Sequence, residues 1–183
     1  MNMLGNAVKE IATFLILAVV IVLPIRLFIA QPFVVEGESM APTFDSGDYL
    51  IVDELSYRLT DPKRGDVIVF RYPGNEKVFY IKRIIGLPGE TVSIDRGKVT
   101  ITKPDGTSLT IDEPYVVAED ATYTESTVIG PDQYFVMGDN RPRSSDSRIW
   151  GLLPEREIMG RAFLQLLPAT KIDLLPGAVT QPQ

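Results

Sequence analysis

The stretch VFYIKRIIGLPGE, Val78–Glu90, decides the fold. Its first eight residues are aromatic or aliphatic apart from two adjacent cations, and a Gly-Leu-Pro-Gly turn follows them. Successive side chains of a strand point to opposite faces. Val78, Tyr80, Lys82 and Ile84 then share one face, and Phe79, Ile81, Arg83 and Ile85 share the other. Each face carries one cation among apolar groups. Two outcomes are open. At a sheet edge, the aliphatic stems pack and the charged heads reach water. In an interior strand, Lys82 loses its hydration, and burial can lower a lysine pKa by roughly 3–5 units. A neutral amine of that kind can accept a proton from a serine.

Short β-branched runs recur on either side, between turn signals: YLIV (Tyr49–Val52), DVIVF (Asp66–Phe70), TVSI (Thr91–Ile94), KVTIT (Lys98–Thr102), YFVM (Tyr134–Met137) and RAFLQLL (Arg161–Leu167). They predict one β-rich domain over residues 31–168. The DRG at Asp95–Gly97 lies between two alternating runs and predicts a hairpin. Glu54–Leu59 is the one short helical piece expected. Residues 103–130 are polar and turn-rich, with no legible chemistry. The tail, 169–183, contains proline and glycine and is expected to be loose. The Arg64-Gly65-Asp66 triplet is read as the charged entry to a strand.

Ahead of the domain, a ten-residue tail leads into IATFLILAVVIVLPIRLFIA, residues 11–30, in which Arg26 is the sole charge. Twenty residues of helix span roughly 30 Å, the thickness of a bilayer core. Arg26 stands near one end, from which its side chain can reach the interface. The run is longer than the roughly 7–15 apolar residues of a cleaved signal peptide, and Phe28 is out of place near a cleavage point. The segment predicts one uncleaved transmembrane helix. Lys9 ahead of it is opposed by Glu10, so the flanking charges lean only slightly towards a cytoplasmic N-terminus.

Composition removes several chemistries. The 183 residues carry a net charge of −6 with scattered cations, against the clustered basic face that nucleic acid requires. Zero cysteine excludes disulfides, thiolate metal sites and cysteine nucleophiles. Zero histidine removes the commonest metal ligand and the commonest base near neutral pH. A carboxylate-only Mg or Ca site stays open, but neither an EF-hand spacing nor a Walker-type glycine loop is present, and the expected chemistry needs no metal or cofactor.

Two further stretches hold reactive groups. VEGESMAPTF, Val35–Phe44, places Ser39 between Gly37 and Pro42, on a tight turn after an extended run from Gln31 to Val35. A turn serine bonded to its own backbone explains this stretch as well as a nucleophile does. It lacks the last glycine of the G-x-S-x-G elbow, since Ala41 stands there. MGDNRPRSSDSRIWG, Met137–Gly151, packs three arginines, two aspartates and three serines into a loop after a strand. It suits a solvated turn or a loop that holds a neighbour by buried hydrogen bonds.

Together the three stretches resemble bacterial type I signal peptidase, or leader peptidase, a serine–lysine dyad family. Its motifs appear in order as Ser39-Met-Ala-Pro-Thr43, Lys82-Arg-Ile-Ile-Gly-Leu-Pro-Gly-Glu90 and Gly138-Asp-Asn-Arg-Pro-Arg-Ser-Ser-Asp-Ser-Arg148, and Arg64-Gly-Asp-Val67 matches a further one. The resemblance implies an all-β catalytic domain of coiled antiparallel sheets behind an N-terminal anchor. It implies Ser39 as nucleophile, Lys82 as general base and Ser144 as the residue that orients the amine. Asp146 and Arg148 would pair beside the site, with Asp139 supporting the loop. Phe33, Val35, Met40 and Ile81 would belong to the substrate-binding surface. Gly37 stands where some members carry an oxyanion-binding hydroxyl, which leaves the second donor unassigned. The expected partners are secretory preproteins and membrane lipid, with a monomer anchored once in the cell membrane and its domain on the extracytoplasmic side. A self-cleaving Ser–Lys repressor would need a helix-turn-helix where the apolar segment stands. An inactive membrane-anchored β module would not need Ser39, Lys82 and Ser144 intact.

Overall fold

The computed structural model describes residues 9–20, 30–117, 120–179 and 181–182. It is mainly antiparallel β, as the β-branched runs require. The larger sheet holds β1 (Ala30–Val34), β2 (Tyr49–Asp53), β11 (Ile158–Leu167), β3 (Val67–Tyr72), β4 (Asn75–Gly86), β9 (Gln133–Met137) and β10 (Leu153–Pro154) in that spatial order. A short β12 (Asp173–Leu174) pairs with β11. The smaller sheet runs β7 (Ser108–Thr110), β6 (Lys98–Thr102), β5 (Thr91–Asp95), β8 (Thr124–Val128).

β5 and β6 join at the predicted hairpin, with Asp95 paired to Lys98 and both central residues, Arg96 and Gly97, at positive φ. That is the backbone a two-residue turn demands. The smaller sheet is inserted between β4 and β9. Its two ends are tied together, because Gly89 N–H donates to the Ile129 carbonyl and Ile129 N–H donates to Glu90. A core of Ile85, Val92, Ile94, Val99, Ile101, Ile129, Phe135 and Met137 fills the space between this insertion and the main sheet.

The expected helix at Glu54–Leu59 is a single 3-10 turn at Ser56–Arg58. β7 and β8 arise in the stretch that reads as turns, because their side chains are mostly exposed and carry no apolar alternation. The tail is not loose. A 3-10 turn at Ala169–Lys171 leads into β12, and the chain then folds back until Gln181 is buried.

Residues 9–20 form a helix, α1. Its Ile11, Phe14, Leu15, Ile16, Leu17, Val19 and Val20 are exposed, and together they cover every face of the cylinder. Among the described residues no helix is long and apolar enough to cross a membrane. The greater part of the second half of the expected anchor, residues 21–29, lies outside the described residues.

Candidate active site

Ser39 stands in the turn that leaves β1. Gly37, at φ +92°, turns the chain away from the strand in a conformation that side chains disfavour. The turn is anchored from below, because Met40 and Phe44 are buried with Val35, Leu50, Val67 and Ala162. Backbone bonds Ala41 N–H to Glu38 and Phe44 N–H to Met40 close it. Ser39 is therefore held by the core on its far side while its hydroxyl faces a groove.

Lys82 arrives from β4. Its Nζ lies 2.7 Å from Ser39 Oγ and donates to the Ile81 carbonyl at 2.8 Å. The side chain is 3% exposed. Of the two outcomes open to the KR pair, burial is the one realised, for both cations. β3 covers one edge of β4, and from Arg83 onward β9 covers the other. Burial pushes the Lys82 amine down from 10.5 to about 8, against the upward pull of the Asp146 and Asp139 carboxylates. A substantial neutral fraction therefore exists near neutral pH.

The loop after β9 locks these two residues together. Asn140 N–H donates to the Ser39 carbonyl at 3.0 Å, and Asn140 Nδ2 donates to the Glu38 carbonyl. Asp139 receives Arg83 side-on, Nε to Oδ1 at 2.9 Å and Nη2 to Oδ2 at 2.6 Å, and both residues are fully buried. Thr43 Oγ1, four residues beyond Ser39, donates to the same carboxylate. Asp146 accepts Arg148 Nε and Nη2 at 2.9 Å each and also takes the Gly138 N–H at 3.0 Å. It caps α2 (Ser147–Trp150) as well. Burial leaves these bonds without competing water, so the loop is held by charge-assisted contacts of the stronger kind.

The groove holds about 550 Å³ and runs between β1 and β4 to the Ser39–Lys82 pair. Phe33 and Phe79 meet edge-to-face across it, with centroids 5.6 Å apart. Among the described residues, no strand pairs with the outer edge of β1 or with β4 before Arg83 on the side that β9 later takes. Two strand edges thus flank one slot, each offering free N–H and C=O groups.

The family model described as signal peptidase, peptidase S26, matches residues 8–167. The chain belongs to this family. It is 40% identical over 172 residues, 90% of this chain and 85% of the other, to a probable signal peptidase I-1 of Synechocystis. It is 36% identical to a signal peptidase I of Bacillus amyloliquefaciens, covering 91% of this chain and 92% of that one. A crystal structure of a signal peptidase I from Enterococcus faecalis is 34% identical, with a TM-score of 0.46 over 56% of this chain and 97% of that chain. As an S26 family member the protein is a serine peptidase.

Within this S26 peptidase the expected site residues do not all fall where the motifs suggested. Phe33, Val35 and Ile81 line the groove. Met40 does not. It is 1% exposed in the core beneath Ser39, so its part is to pack the turn rather than to touch a substrate. Ser144 is buried, yet its hydroxyl has no hydrogen-bond partner among the described residues, and the Ile81 carbonyl takes the second position on the Lys82 amine instead.

Arg83 was legible only as a strand cation, although it is the hub of the loop's attachment. Arg141 was likewise hidden; it is buried and pairs with Glu113, while Tyr115 stacks 3.9 Å from the Arg83 guanidinium. Both partners come from the region that carried no readable chemistry. Arg64 is also internal, paired end-on through Nη1 and Nη2 with Glu90, so the Arg-Gly-Asp triplet ties one motif to the end of another.

Gly138 gives a direct test of this packing. A Cβ there would lie 2.3 Å from Ser144 Oγ and 2.4 Å from the Ser39 carbonyl oxygen. Gly138→Ala must displace the Ser39 turn. A misplacement of about 1 Å costs on the order of 10²-fold in rate, and steady-state cleavage assays are expected to show a kcat loss of that size.

Proposed function

We propose that this peptidase removes N-terminal signal peptides from secretory preproteins, with Ser39 as nucleophile and Lys82 as general base. The observation that carries the proposal is the 2.7 Å approach of a buried lysine amine to a serine hydroxyl at the end of a groove with two unpaired strand edges. The relatives named as signal peptidases support the substrate class.

The substrate's cleavage region enters the groove extended, as a strand between β1 and β4. Recognition through the backbone accepts many sequences, and the apolar walls at Phe33, Val35 and Ile81 select small side chains before the cut. The neutral Lys82 amine donates to Ile81 and presents its lone pair to the Ser39 hydroxyl. It takes that proton as Ser39 Oγ attacks the scissile carbonyl carbon. The Ser39 N–H stabilises the oxygen as it gains charge. The groove wall also presents the Ser145 hydroxyl and the Arg143 guanidinium at this end. The Lys82 ammonium returns the proton to the leaving amine, which frees the mature protein and leaves the signal peptide as an ester on Ser39. Water then attacks that ester with Lys82 again as base, releasing the signal peptide and restoring the hydroxyl. The role assigned to Ser144 is to steady the amine once it turns from Ile81 to the leaving group, and its hydroxyl, without a hydrogen-bond partner among the described residues, is free to take it.

Residues 11–30 serve as a single membrane anchor that sets the domain at the extracytoplasmic face, where preproteins emerge. A helix apolar on every side is at home in lipid, and the exposed apolar surface of α1 supports that role. Incubation of the full chain in detergent with a preprotein, followed by sequencing of the new N-terminus, tests the proposal. Cleavage after a small residue at the signal peptide boundary is expected, and an intact preprotein overturns it.

The sign of the pH dependence follows from the base. Catalysis needs the uncharged amine, so kcat/KM is expected to fall as pH drops through about 8. A bound peptide excludes more water and disfavours the ammonium further, so the acid limb of kcat should lie lower than that of kcat/KM. A flat profile between pH 6 and pH 9, or about that range, would argue against a lysine base.

A further inference from the structure

The segment after β12 crosses beneath the site and supplies acceptors to two buried arginines, Arg83 of β4 and Arg64 ahead of β3. Leu175 N–H donates to the Phe163 carbonyl, and Ala178 N–H turns back to Leu175. The Gly177 carbonyl accepts from Arg83 Nη1, and the Pro182 carbonyl accepts from Arg64 Nε at 2.8 Å. Gln181 is buried, and its side-chain amide donates to the Asp112 carbonyl. The family match ends at residue 167, so the tail partner in each of these contacts lies beyond it.

The Arg83 guanidinium shows why this matters. Nε and Nη2 go to Asp139, and Nη1 is shared between the carbonyls of Gly65 and Gly177. The last of these acceptors comes from the strap alone. Without it a buried N–H loses its partner, and water is drawn to a cation that is otherwise fully enclosed. The same cation holds Asp139, which holds Thr43, and the next residue, Asn140, holds the Ser39 carbonyl. Arg83 also adjoins Lys82 in β4.

The fit of the strap is tight. A Cβ at Gly177 would lie 2.5 Å from Thr43 Cγ2 and 3.2 Å from Arg83 Nη2, and one at Gly65 would lie 2.6 Å from the Val179 carbonyl oxygen. Gly177 itself has φ +71°. Gly65 lets the Val179 backbone lie against its own, and Gly177 lets the strap lie against the Thr43 and Arg83 side chains, where a Cβ would push it away.

We propose that residues 175–179 and 181–182 form a positioning strap for the Ser39–Lys82 pair, acting through the Gly177 carbonyl on Arg83 and thence through Asp139 on the Ser39 turn. The inference rests on the catalytic roles proposed for Ser39 and Lys82. Its reach goes beyond fold maintenance, because loosening the strap admits water beside β4 and alters both the alignment of the hydroxyl and the environment of the amine. Loosening the strap removes neither Asp139 nor Asp146, the two carboxylates that raise the Lys82 pKa, so the added hydration sets the direction of the shift.

Gly177→Ala in the full chain tests the strap, with Gly106→Ala as control. Gly106 has a similar φ of +85° but nothing within 4 Å of its Cβ position, so it reproduces the backbone strain without touching the site. Preprotein cleavage by Gly177→Ala is expected to show kcat reduced about tenfold or more, with KM within about twofold of the parent. Its acid limb is expected to move up by about half a pH unit or more, the direction that hydration of the amine dictates. The control should match the parent in all three. Competitive labelling of amines, read at Lys82 by mass spectrometry, follows the same shift without any cleavage. It therefore separates the two ideas: a parent that fails to cut preproteins sinks the functional proposal, whereas unchanged labelling and unchanged kcat in Gly177→Ala sink the strap. Should Gly177→Ala fail to fold, Gln181→Ala loosens the strap at its Asp112 anchor and is read by the same criteria.

Discussion

Lys82→Met is expected to abolish preprotein cleavage while the melting temperature holds or rises. Loss of the base from a nucleophile–base pair lowers kcat by about 10⁴-fold or more. The thermal result has a separate cause. A buried amine carries a desolvation penalty that its hydrogen bond to Ile81 offsets only in part, and methionine of similar length fills the same apolar channel beside Tyr80 without that penalty. Ser39→Ala should be equally inactive, and the double variant should be no worse than either single one, because the two groups act as a unit. Cleavage rates and thermal scans on the three proteins check this. A Lys82→Met enzyme with more than about 1% of parent activity would remove lysine from the mechanism.

Asp139→Ala is expected to be the most destabilising single change near the site. It strands the fully buried Arg83 guanidinium and leaves Thr43 Oγ1 without its acceptor. Breaking a buried ion pair from one side costs about 3–5 kcal/mol, which for a chain of this size lowers the melting temperature by about 6–20 °C. Asp139→Asn keeps an oxygen for one donor and should fall between. The acid limb carries an independent signature. Asp139 raises the Lys82 pKa, so its loss should move the limb to lower pH in whatever fraction stays folded. A melting temperature within about 2 °C of the parent would show that the pair contributes little.

Much of this architecture is written locally. The alternation in Val78–Ile85 announces β4, and the DRG tripeptide announces its hairpin, because both depend on residues adjacent in sequence. Ser39 and Lys82 are recognisable from their motifs, yet their contact spans the separation from a turn to a distant strand and depends on β3 and β9 covering β4. The fate of the KR pair illustrates the limit. Period-two alternation assigns the two cations to opposite faces but is silent on which faces are covered, so Arg83 reads like any strand cation. Glu113, Tyr115 and Gly177 were illegible for a similar reason. Each acts on an arginine through long-range packing, and none stands in a pattern that local rules detect. Met40 shows the opposite error: a motif residue beside a nucleophile suggests contact with substrate, whereas its side chain points down into the core. At Ser144 the motif suggests a hydroxyl that holds the amine, but the Lys82 amine donates to the Ile81 carbonyl instead.

The tied ends of the smaller sheet bear on how this protein can be re-engineered. Because Glu90 and Ile129 are bonded to one another, the chain leaves the main sheet and returns to it at nearly one point. Lengthening a loop between such ends adds little entropy, since each doubling costs only about 0.6 kcal/mol. The insertion is thus a cassette whose turns at 95–98 and 104–107 can grow, shrink or accept a grafted reporter. Its body is not exchangeable, because Val92, Ile94, Val99 and Ile101 fill the core shared with Ile85, Phe135 and Met137, and Asp120 and Tyr123 contact Arg148. Glu113 grips Arg141 and Tyr115 covers Arg83, so residues 111–116 belong to the catalytic loop's foundation although they travel with the cassette.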